Sequence, residues 1–185
     1  MLNLRLESER LLFRPIRLTD TEQVHALNLI EEVNRYNTLV VPNSVEETEH
    51  MIGKWVNQGF DQPGHSFVFC IQDKQHHHFI GLFGVIRGKP AYRSAELWYK
   101  LHPSYWNNGY ATEAVKQMLH LCFMDLKLHR VEAGCSVENT ASSKVLTKCG
   151  FQLEGRTRKK LPVRGQWHDG FEYSILEEDY NTVIT

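Results

Sequence analysis

The feature that most constrains this chain is the stretch at residues 105–115, which joins a predicted strand to a predicted helix. Residues 94–101 alternate in polarity and are rich in aromatic side chains, as in a strand. Downstream, apolar residues recur at helical spacing, namely Ala111, Ala114, Val115, Met118, Leu119 and Cys122. Because the first amides of a helix lack internal partners and carry the positive end of its dipole, the turn predicts a phosphate-binding loop.

Within this turn, the backbone amides from Asn108 to Thr112 are expected to converge on a pyrophosphate group. Gly109 lets the main chain approach the anion closely, because glycine has no Cβ atom. Taken alone, the stretch is equally compatible with a simple change of chain direction. A second segment is needed to choose between these two interpretations.

That second segment is residues 138–151, which reads ENTASSKVLTKCGF. Together the two segments resemble the GNAT superfamily of acetyl-CoA-dependent N-acetyltransferases. They are most similar to its RimJ/RimL branch, whose loop commonly reads Tyr-Trp-Gly-x-Gly-Tyr-Ala-Thr-Glu-Ala and whose later helix reads Asn-x-x-Ser and then Gly-Phe. Asn107 departs from the branch, which usually has glycine there. Asparagine tolerates left-handed backbone angles, so the loop is still expected to form.

The resemblance covers nearly the whole chain and implies a single domain, residues 1–185, of the α/β (α+β) class. Its mixed, mostly antiparallel central sheet is expected to contain one splayed parallel strand pair and to carry flanking helices. Sequence patterns predict strands at residues 11–17, 65–72, 79–87, 94–101, 130–137, 151–159 and 171–176. The three strands from 65 to 101 are expected to form an antiparallel meander.

Helices are predicted between these strands from capping and stop signals. Two of them begin at capping boxes, residues 19–22 and 44–47, and the second ends near Gly59 before a Pro63-Gly64 turn. A long helix is predicted at 109–126 and a short one at 140–149, closed by Gly150. A turn at residues 165–170, which includes His168 and Asp169, is expected to lead into the last strand.

The resemblance implies that acetyl-CoA binds with its pantetheine arm between the splayed strands. The main chain of Tyr99, Lys100 and Leu101 is expected to pair with that arm. Asn139 is also placed beside it, although capping the following helix is its simplest structural role. The expected cofactor-binding residues are Tyr99, Lys100, Leu101, Asn107, Asn108, Gly109, Tyr110, Ala111, Thr112 and Asn139.

Two residues are candidates for catalysis. The resemblance implies that Ser142 donates a proton to the departing thiolate, the alternative being a second capping hydroxyl. Glu96 is the leading candidate for the base, since some GNAT enzymes carry a functional glutamate on this strand. The alternative is a surface glutamate paired with Arg93 or Lys100. Two other positions used as bases in related enzymes fall here on Leu161 and Gly134, which cannot accept a proton.

Composition limits the remaining function classes. A formal net charge of −1 and a pI near 6.8 give no bulk attraction to nucleic acid or acidic lipid, so neither is an expected partner. The absence of a signal-like segment or a long apolar run predicts a cytoplasmic protein.

His76, His77 and His78 are predicted to form a solvated turn, not a metal site. The four cysteines are predicted to be buried free thiols, namely Cys70, Cys122, Cys135 and Cys149.

The predicted function is acetyl transfer from acetyl-CoA to a primary amine by direct attack in a ternary complex. The acceptor is either a protein N-terminus or a small molecule, and its shape is expected to be read by residues 31–43 and 160–170. The alternative is a non-catalytic acyl-CoA-binding or sensing module on the same fold. The sequence leaves open the use of other acyl groups and the oligomeric state, with a homodimer as one alternative.

Overall fold

The structure is a computed structural model that describes residues 5–58 and 66–183. Its strands are β1 (Leu6–Glu7), β2 (Leu11–Pro15), β3 (Ser66–Asp73), β4 (Phe79–Arg87), β5 (Ser94–Leu101), β6 (Arg130–Ser136), β7 (Gln152–Val163) and β8 (Gln166–Leu176). Its α-helices are α1 (Thr21–Leu29), α2 (Val45–Asn57), α3 (Tyr110–His120), α4 (Thr140–Lys148) and α5 (Glu177–Val183).

The strands form one sheet in the order β1-β2-β3-β4-β5-β6-β8-β7. All neighbours are antiparallel except β5 and β6, which pair only from Ser94 opposite Arg130 to Glu96 opposite Glu132. Beyond this point β5 stays bonded to β4, and β6 stays bonded to β8. The sheet therefore opens into a gap between residues 97–101 and 133–136, which we call the splay.

Helices cover the two faces of the sheet unequally. On one face, the α1 face, helices α1 and α2 pack over a small apolar cluster of Ile16, Val24, Leu27, Ile52, Val68 and Leu82. On the other, the α3 face, α3 and α4 pack over a larger core that includes Phe13, Phe69, Phe83, Val115, Met118 and Ile175. Successive strand residues point to opposite faces, so neighbouring residues such as Leu82 and Phe83 belong to different cores.

The parallel pair of β5 and β6 in an otherwise antiparallel sheet confirms the predicted mixed α/β fold. Strands β3, β4 and β5 confirm the predicted antiparallel meander. Ser44 caps α2 as predicted, because its side chain accepts a hydrogen bond from the Glu47 amide. Helix α2 ends at Asn57. The predicted helix end near Gly59, the Pro63-Gly64 turn and the predicted strand start at residue 65 lie outside the described residues.

The prediction that Thr19 caps the first helix is wrong. Asp20 precedes the helix instead, within a short 3-10 turn, and α1 begins at Thr21. The Asp20 carboxylate accepts hydrogen bonds from the Arg14 guanidinium at 2.7 Å and the Arg17 amide at 2.9 Å. Because this ion pair is buried, it holds Asp20 against Arg14 of β2, and the helix begins after Asp20 instead of at Thr19.

Two further predicted boundaries are wrong. Helix α3 ends at His120, because the chain continues as a π-helical turn over Leu121–Asp125. The hairpin of β7 and β8 is longer than predicted and leaves only Arg164 and Gly165 in its turn. The segment at residues 160–170 is therefore mostly strand.

The four cysteines are buried free thiols, as predicted. The histidine triplet is exposed at the β3–β4 connection, and the described residues contain no cluster of His, Cys, Asp and Glu side chains that could hold a metal ion. Across the same described ranges, no helix combines the length and apolar character needed to cross a lipid bilayer.

Candidate active site

The predicted phosphate loop, residues 106–112, leads from β5 into the first turn of α3, and we call it the cradle. Gly109 precedes the helix with φ of 80°, and Asn107 has φ of 60°. Both angles lie in the left-handed region, which glycine adopts freely and asparagine more readily than most residues. The Trp106 indole donates a hydrogen bond to the Leu101 carbonyl at 2.8 Å and so holds the loop against the end of β5.

The main chain of β5 presents alternate residues to the splay. The Gly88 amide donates to the Ser94 carbonyl, and the His102 amide donates to the Ile80 carbonyl, each at 2.8 Å. Peptide groups alternate in direction along an antiparallel ladder, so even-numbered residues of β5 face β4 and odd-numbered residues face the splay. Tyr99 and Leu101 therefore present main-chain groups to the gap, whereas those of Lys100 are directed at β4.

The side chain of Lys100 lies on the α1 face and binds the segment that follows α1. Its ammonium donates to the Asn28 side-chain oxygen at 2.8 Å and lies 3.5 Å from that of Asn34. The Asn34 amide group in turn donates to the carbonyls of Asn28 and Ile30. Burial lowers the pKa of Lys100 to about 8. Lys100 thus connects β5 to residues 31–43, one of the segments expected to determine which acceptor binds.

A pair of hydroxyl groups lies on the α3 face of the splay. Asn139 caps α4, since its side-chain oxygen accepts a hydrogen bond from the Ser142 amide at 3.1 Å. The Ser142 hydroxyl is therefore not a cap but lies 2.9 Å from the Tyr99 hydroxyl of β5. Burial raises the pKa of Tyr99, which keeps its hydroxyl protonated at neutral pH. The pair links the two arms of the splay, and either hydroxyl can donate to the other.

Glu96 lies on the α1 face, where β5 and β6 begin to separate. It is partly exposed to solvent and lines an open depression of about 400 Å³ together with Ile86, Ser94 and Glu132. The alternative partners expected from the sequence are used elsewhere, because Arg93 binds the Lys127 carbonyl and Lys100 binds Asn28.

The surroundings of Glu96 raise the pKa of its carboxyl above the ordinary value. Partial burial is the main cause, and the nearby carboxylates of Glu132 and Glu172 add to it, while Lys160 opposes it. A raised pKa brings a carboxylate closer to the range in which it can exchange protons with an amine.

The two segments predicted to read the acceptor meet on this side of the molecule. In the hairpin turn, the Arg164 guanidinium donates to the Glu31 carboxylate at 3.1 Å and to the Glu31 carbonyl at 3.2 Å. Asp169 lies within β8, not in a turn, and accepts hydrogen bonds from Arg156 at 2.7 Å and from the Lys159 amide at 2.9 Å. It therefore stabilises the hairpin.

The described residues fit acetyl-CoA. An extended ligand with a pyrophosphate group can bind to three features of this site. They are the first-turn amides of α3, the left-handed backbone at Asn107 and Gly109, and the splay-facing main chain of Tyr99. Arg10 also lies at this site, although the sequence patterns gave no indication of it. Its side chain contacts the cradle from the β1–β2 turn, and no local pattern around it predicts this long-range contact.

Comparisons with known proteins agree with this geometry. The family model described as an acetyltransferase (GNAT) domain matches residues 10–152. The uncharacterized N-acetyltransferase YnaD of Bacillus subtilis is 30% identical over 180 residues, covering 95% of this chain and 99% of that protein.

Two solved structures share the fold. A GNAT acetyltransferase from Bacillus anthracis superposes with a TM-score of 0.82 at 30% identity, covering 95% of this chain and 99% of its own. Spermidine N-acetyltransferase from Vibrio cholerae, in complex with CoA and spermine, also gives 0.82, at 25% identity, covering 94% of this chain and 99% of its own. The chain therefore belongs to the GNAT family of acetyltransferases and is an acyltransferase that uses acetyl-CoA.

Proposed function

We propose that this enzyme acetylates a primary amine of a small polycationic molecule of the polyamine type. The observation that carries the proposal is the group of carboxylates on the α1 face beside the splay, formed by Glu96, Glu132 and Glu172. The spermidine N-acetyltransferase of Vibrio cholerae, which is 25% identical over 94% of this chain, supports the same acceptor class.

The charges on this face are mixed, since Arg87 and Lys89 also line the depression, and the carboxylate of Glu96 is the group that favours a cationic acceptor. Arg130 is shared between the carboxylates of Glu132 and Glu154, and Lys160 binds Glu172 at 2.8 Å. Within the described ranges, Glu96 makes no ion pair or hydrogen bond, so its carboxylate is available to an incoming ammonium group. Partly buried carboxylates attract cations more strongly than fully solvated ones, because the local dielectric constant is lower.

Glu96 acts as the base in this proposal. The amine reaches the active site protonated and must lose a proton before its lone pair can attack. The Glu96 carboxylate accepts that proton directly or through one water molecule. Its raised pKa makes it a better proton acceptor than an ordinary glutamate.

The hydroxyl pair of Ser142 and Tyr99 supplies the proton on the opposite face of the splay. Acetyl-CoA supplies the acetyl group, so that a nitrogen–carbon bond forms as the carbon–sulfur bond breaks and the sulfur leaves as a thiolate. Ser142 passes its proton to this sulfur as it takes up the Tyr99 proton across their 2.9 Å contact, and Tyr99 regains a proton from solvent. Placing the base and the acid on opposite faces allows the amine and the thioester to approach from opposite sides.

A panel of amines tests the proposal. Purified protein and acetyl-CoA are incubated with spermidine, with a peptide that has a free N-terminus, or with a neutral primary amine, and free thiol is measured. We expect release of CoA to be fastest with spermidine. Preference for the peptide would instead favour protein N-termini. Tight binding of acetyl-CoA without turnover of any amine would support the non-catalytic module.

Three further points are proposed on the basis of the sequence. Membership of the RimJ/RimL branch, a cytoplasmic location and a homodimer stay predictions. Mass spectrometry of the product made from mixed acyl-CoA donors tests whether acetyl is the preferred group, and gel filtration with light scattering tests the dimer.

A further inference from the structure

Arg10 lies in the turn between β1 and β2, far from the cradle in sequence, yet its side chain contacts three residues around the start of α3. Its Nε atom donates to the Glu113 carboxylate at 2.7 Å, and its Nη1 atom donates to the Asn108 carbonyl at 3.0 Å. The guanidinium also stacks over the Tyr110 ring, 4.2 Å from its centroid. A Cβ atom added to Gly109 would lie 3.4 Å from Nη2.

Glu113 fixes this guanidinium in place. Its carboxylate accepts hydrogen bonds from the Ser8 hydroxyl, the Arg10 amide and the Arg10 side chain, each at 2.7 Å. The planar guanidinium can bind a carboxylate and a carbonyl at the same time, which a lysine ammonium on a flexible chain does less well. The first turn of α3 is therefore tied to the β1–β2 turn in one orientation.

The contact with the Asn108 carbonyl determines where the next amide points. In a trans peptide unit, the carbonyl and the N–H group point in opposite directions. Because Arg10 holds the Asn108 carbonyl, the Gly109 N–H of the same unit is directed away from Arg10. Of the two residues that flank this unit, Gly109 has a positive φ of 80°, and a peptide unit next to glycine reorients at low cost.

We propose that Arg10 is a positioning residue for the cofactor, which fixes the Asn108–Gly109 peptide so that its N–H group faces the pyrophosphate of CoA. This inference rests on the proposed function for the identity of the anion. In this proposal Arg10 acts through the main chain of the cradle, because its Nε and Nη1 atoms bind Glu113 and the Asn108 carbonyl.

The test is titration of CoA into the wild type, Arg10→Lys and Arg10→Met, with the dissociation constant as the readout. Both variants are expected to bind CoA about tenfold more weakly, which corresponds to about 1.4 kcal/mol. Lysine keeps the charge and can still pair with Glu113, so it also covers the case in which the methionine variant does not fold. Circular dichroism establishes that each variant is folded.

Arg93 provides a matched control. Its guanidinium likewise binds a backbone carbonyl, that of Lys127, and a carboxylate, that of Glu177, at 2.7 Å and 3.1 Å. Arg93→Met makes the same change in net charge and is expected to keep the wild-type dissociation constant within about twofold.

Two results would overturn the inference. Full affinity in both Arg10 variants would show that Arg10 does not position the cradle, and full affinity in Arg10→Lys alone would show that only its charge matters. As a second readout, acetyl-pantetheine lacks the pyrophosphate, so its use as a donor should be unaffected in both variants. Failure of the wild type to bind CoA would contradict the proposed function itself and is read from the same titration.

Discussion

The two faces of the splay are built in different ways. On the side proposed to bind the cofactor, the groups available to a ligand are mostly main chain, from the cradle amides and from alternate residues of β5 such as Tyr99. On the side proposed to bind the acceptor they are side chains from distant segments, namely Glu96 on β5, Glu132 on β6 and Glu31 bound to Arg164. Recognition by main-chain groups does not depend on which side chains are present, whereas a change of side chain on the proposed acceptor side can alter which amine binds.

The cofactor side should fail when its backbone geometry is changed. Gly109→Val places a β-branched residue at φ of 80° and directs its Cβ toward Arg10. Strain of up to roughly 3 kcal/mol predicts a loss of acetyl-CoA affinity on the order of 100-fold, measured by calorimetric titration. Gly165→Val is the matched control, because Gly165 has φ of 75° with no atoms near its Cβ position. It should lose stability but keep its affinity for acetyl-CoA.

The acceptor side should fail when one carboxylate is neutralised. Glu96→Gln is expected to lower kcat/KM for the amine about 100-fold while leaving the affinity for acetyl-CoA unchanged. Burial raises the pKa of Glu96, and only its ionised form accepts a proton. Wild-type activity should therefore fall as the pH drops through a value above the ordinary glutamate pKa. An unchanged acidic limb in the Gln variant would contradict the assignment of Glu96 as the base.

The hydroxyl pair joins the two sides and should give a smaller effect. Ser142→Ala and Tyr99→Phe are each expected to lower kcat about tenfold, the value of one hydrogen bond to a developing charge, with little change in KM for acetyl-CoA. Because the two residues act together, the double variant should be no slower than the slower single variant. Independent, multiplying effects would show that the 2.9 Å contact is not used in the reaction.

The ion pair between Arg164 and Glu31 should give the smallest effect. Both side chains are more than half exposed, so Arg164→Met is expected to lower the free energy of unfolding by less than about 1 kcal/mol. If the pair holds the two acceptor segments together, KM for the amine should rise about threefold with kcat unchanged. Chemical denaturation and steady-state kinetics measure the two quantities, and an equal change in kcat and KM would argue against this role.

Sequence alone predicted the strand and helix on either side of the cradle well and the long-range contacts poorly, for a physical reason. Strand β5 and the helix after Gly109 are marked by local periodicity and by one contiguous motif, so their positions could be inferred from neighbouring residues. The contacts of Arg10 with the cradle and of Arg164 with Glu31 join residues about 100 or more positions apart. No local pattern encodes such contacts, because they exist only after the sheet has brought the segments together.

Boundary errors have the same origin. Asp20 was expected to lie inside a capping box, but its ion pair with Arg14 of β2 moved the start of α1 to Thr21. The extension of β7 to Val163 depends on its pairing with β8, which residues 160–163 do not signal by themselves. Tertiary partners therefore overrode local signals at both places.

Initial-rate kinetics test the central claim most directly, namely that an amine on the α1 face attacks acetyl-CoA held in the splay without a covalent enzyme intermediate. The rate of CoA release is measured over a matrix of acetyl-CoA and spermidine concentrations. Direct attack in a ternary complex predicts intersecting lines in double-reciprocal plots. Parallel lines, which indicate an acetyl-enzyme intermediate, or a rate independent of the amine would contradict the mechanism.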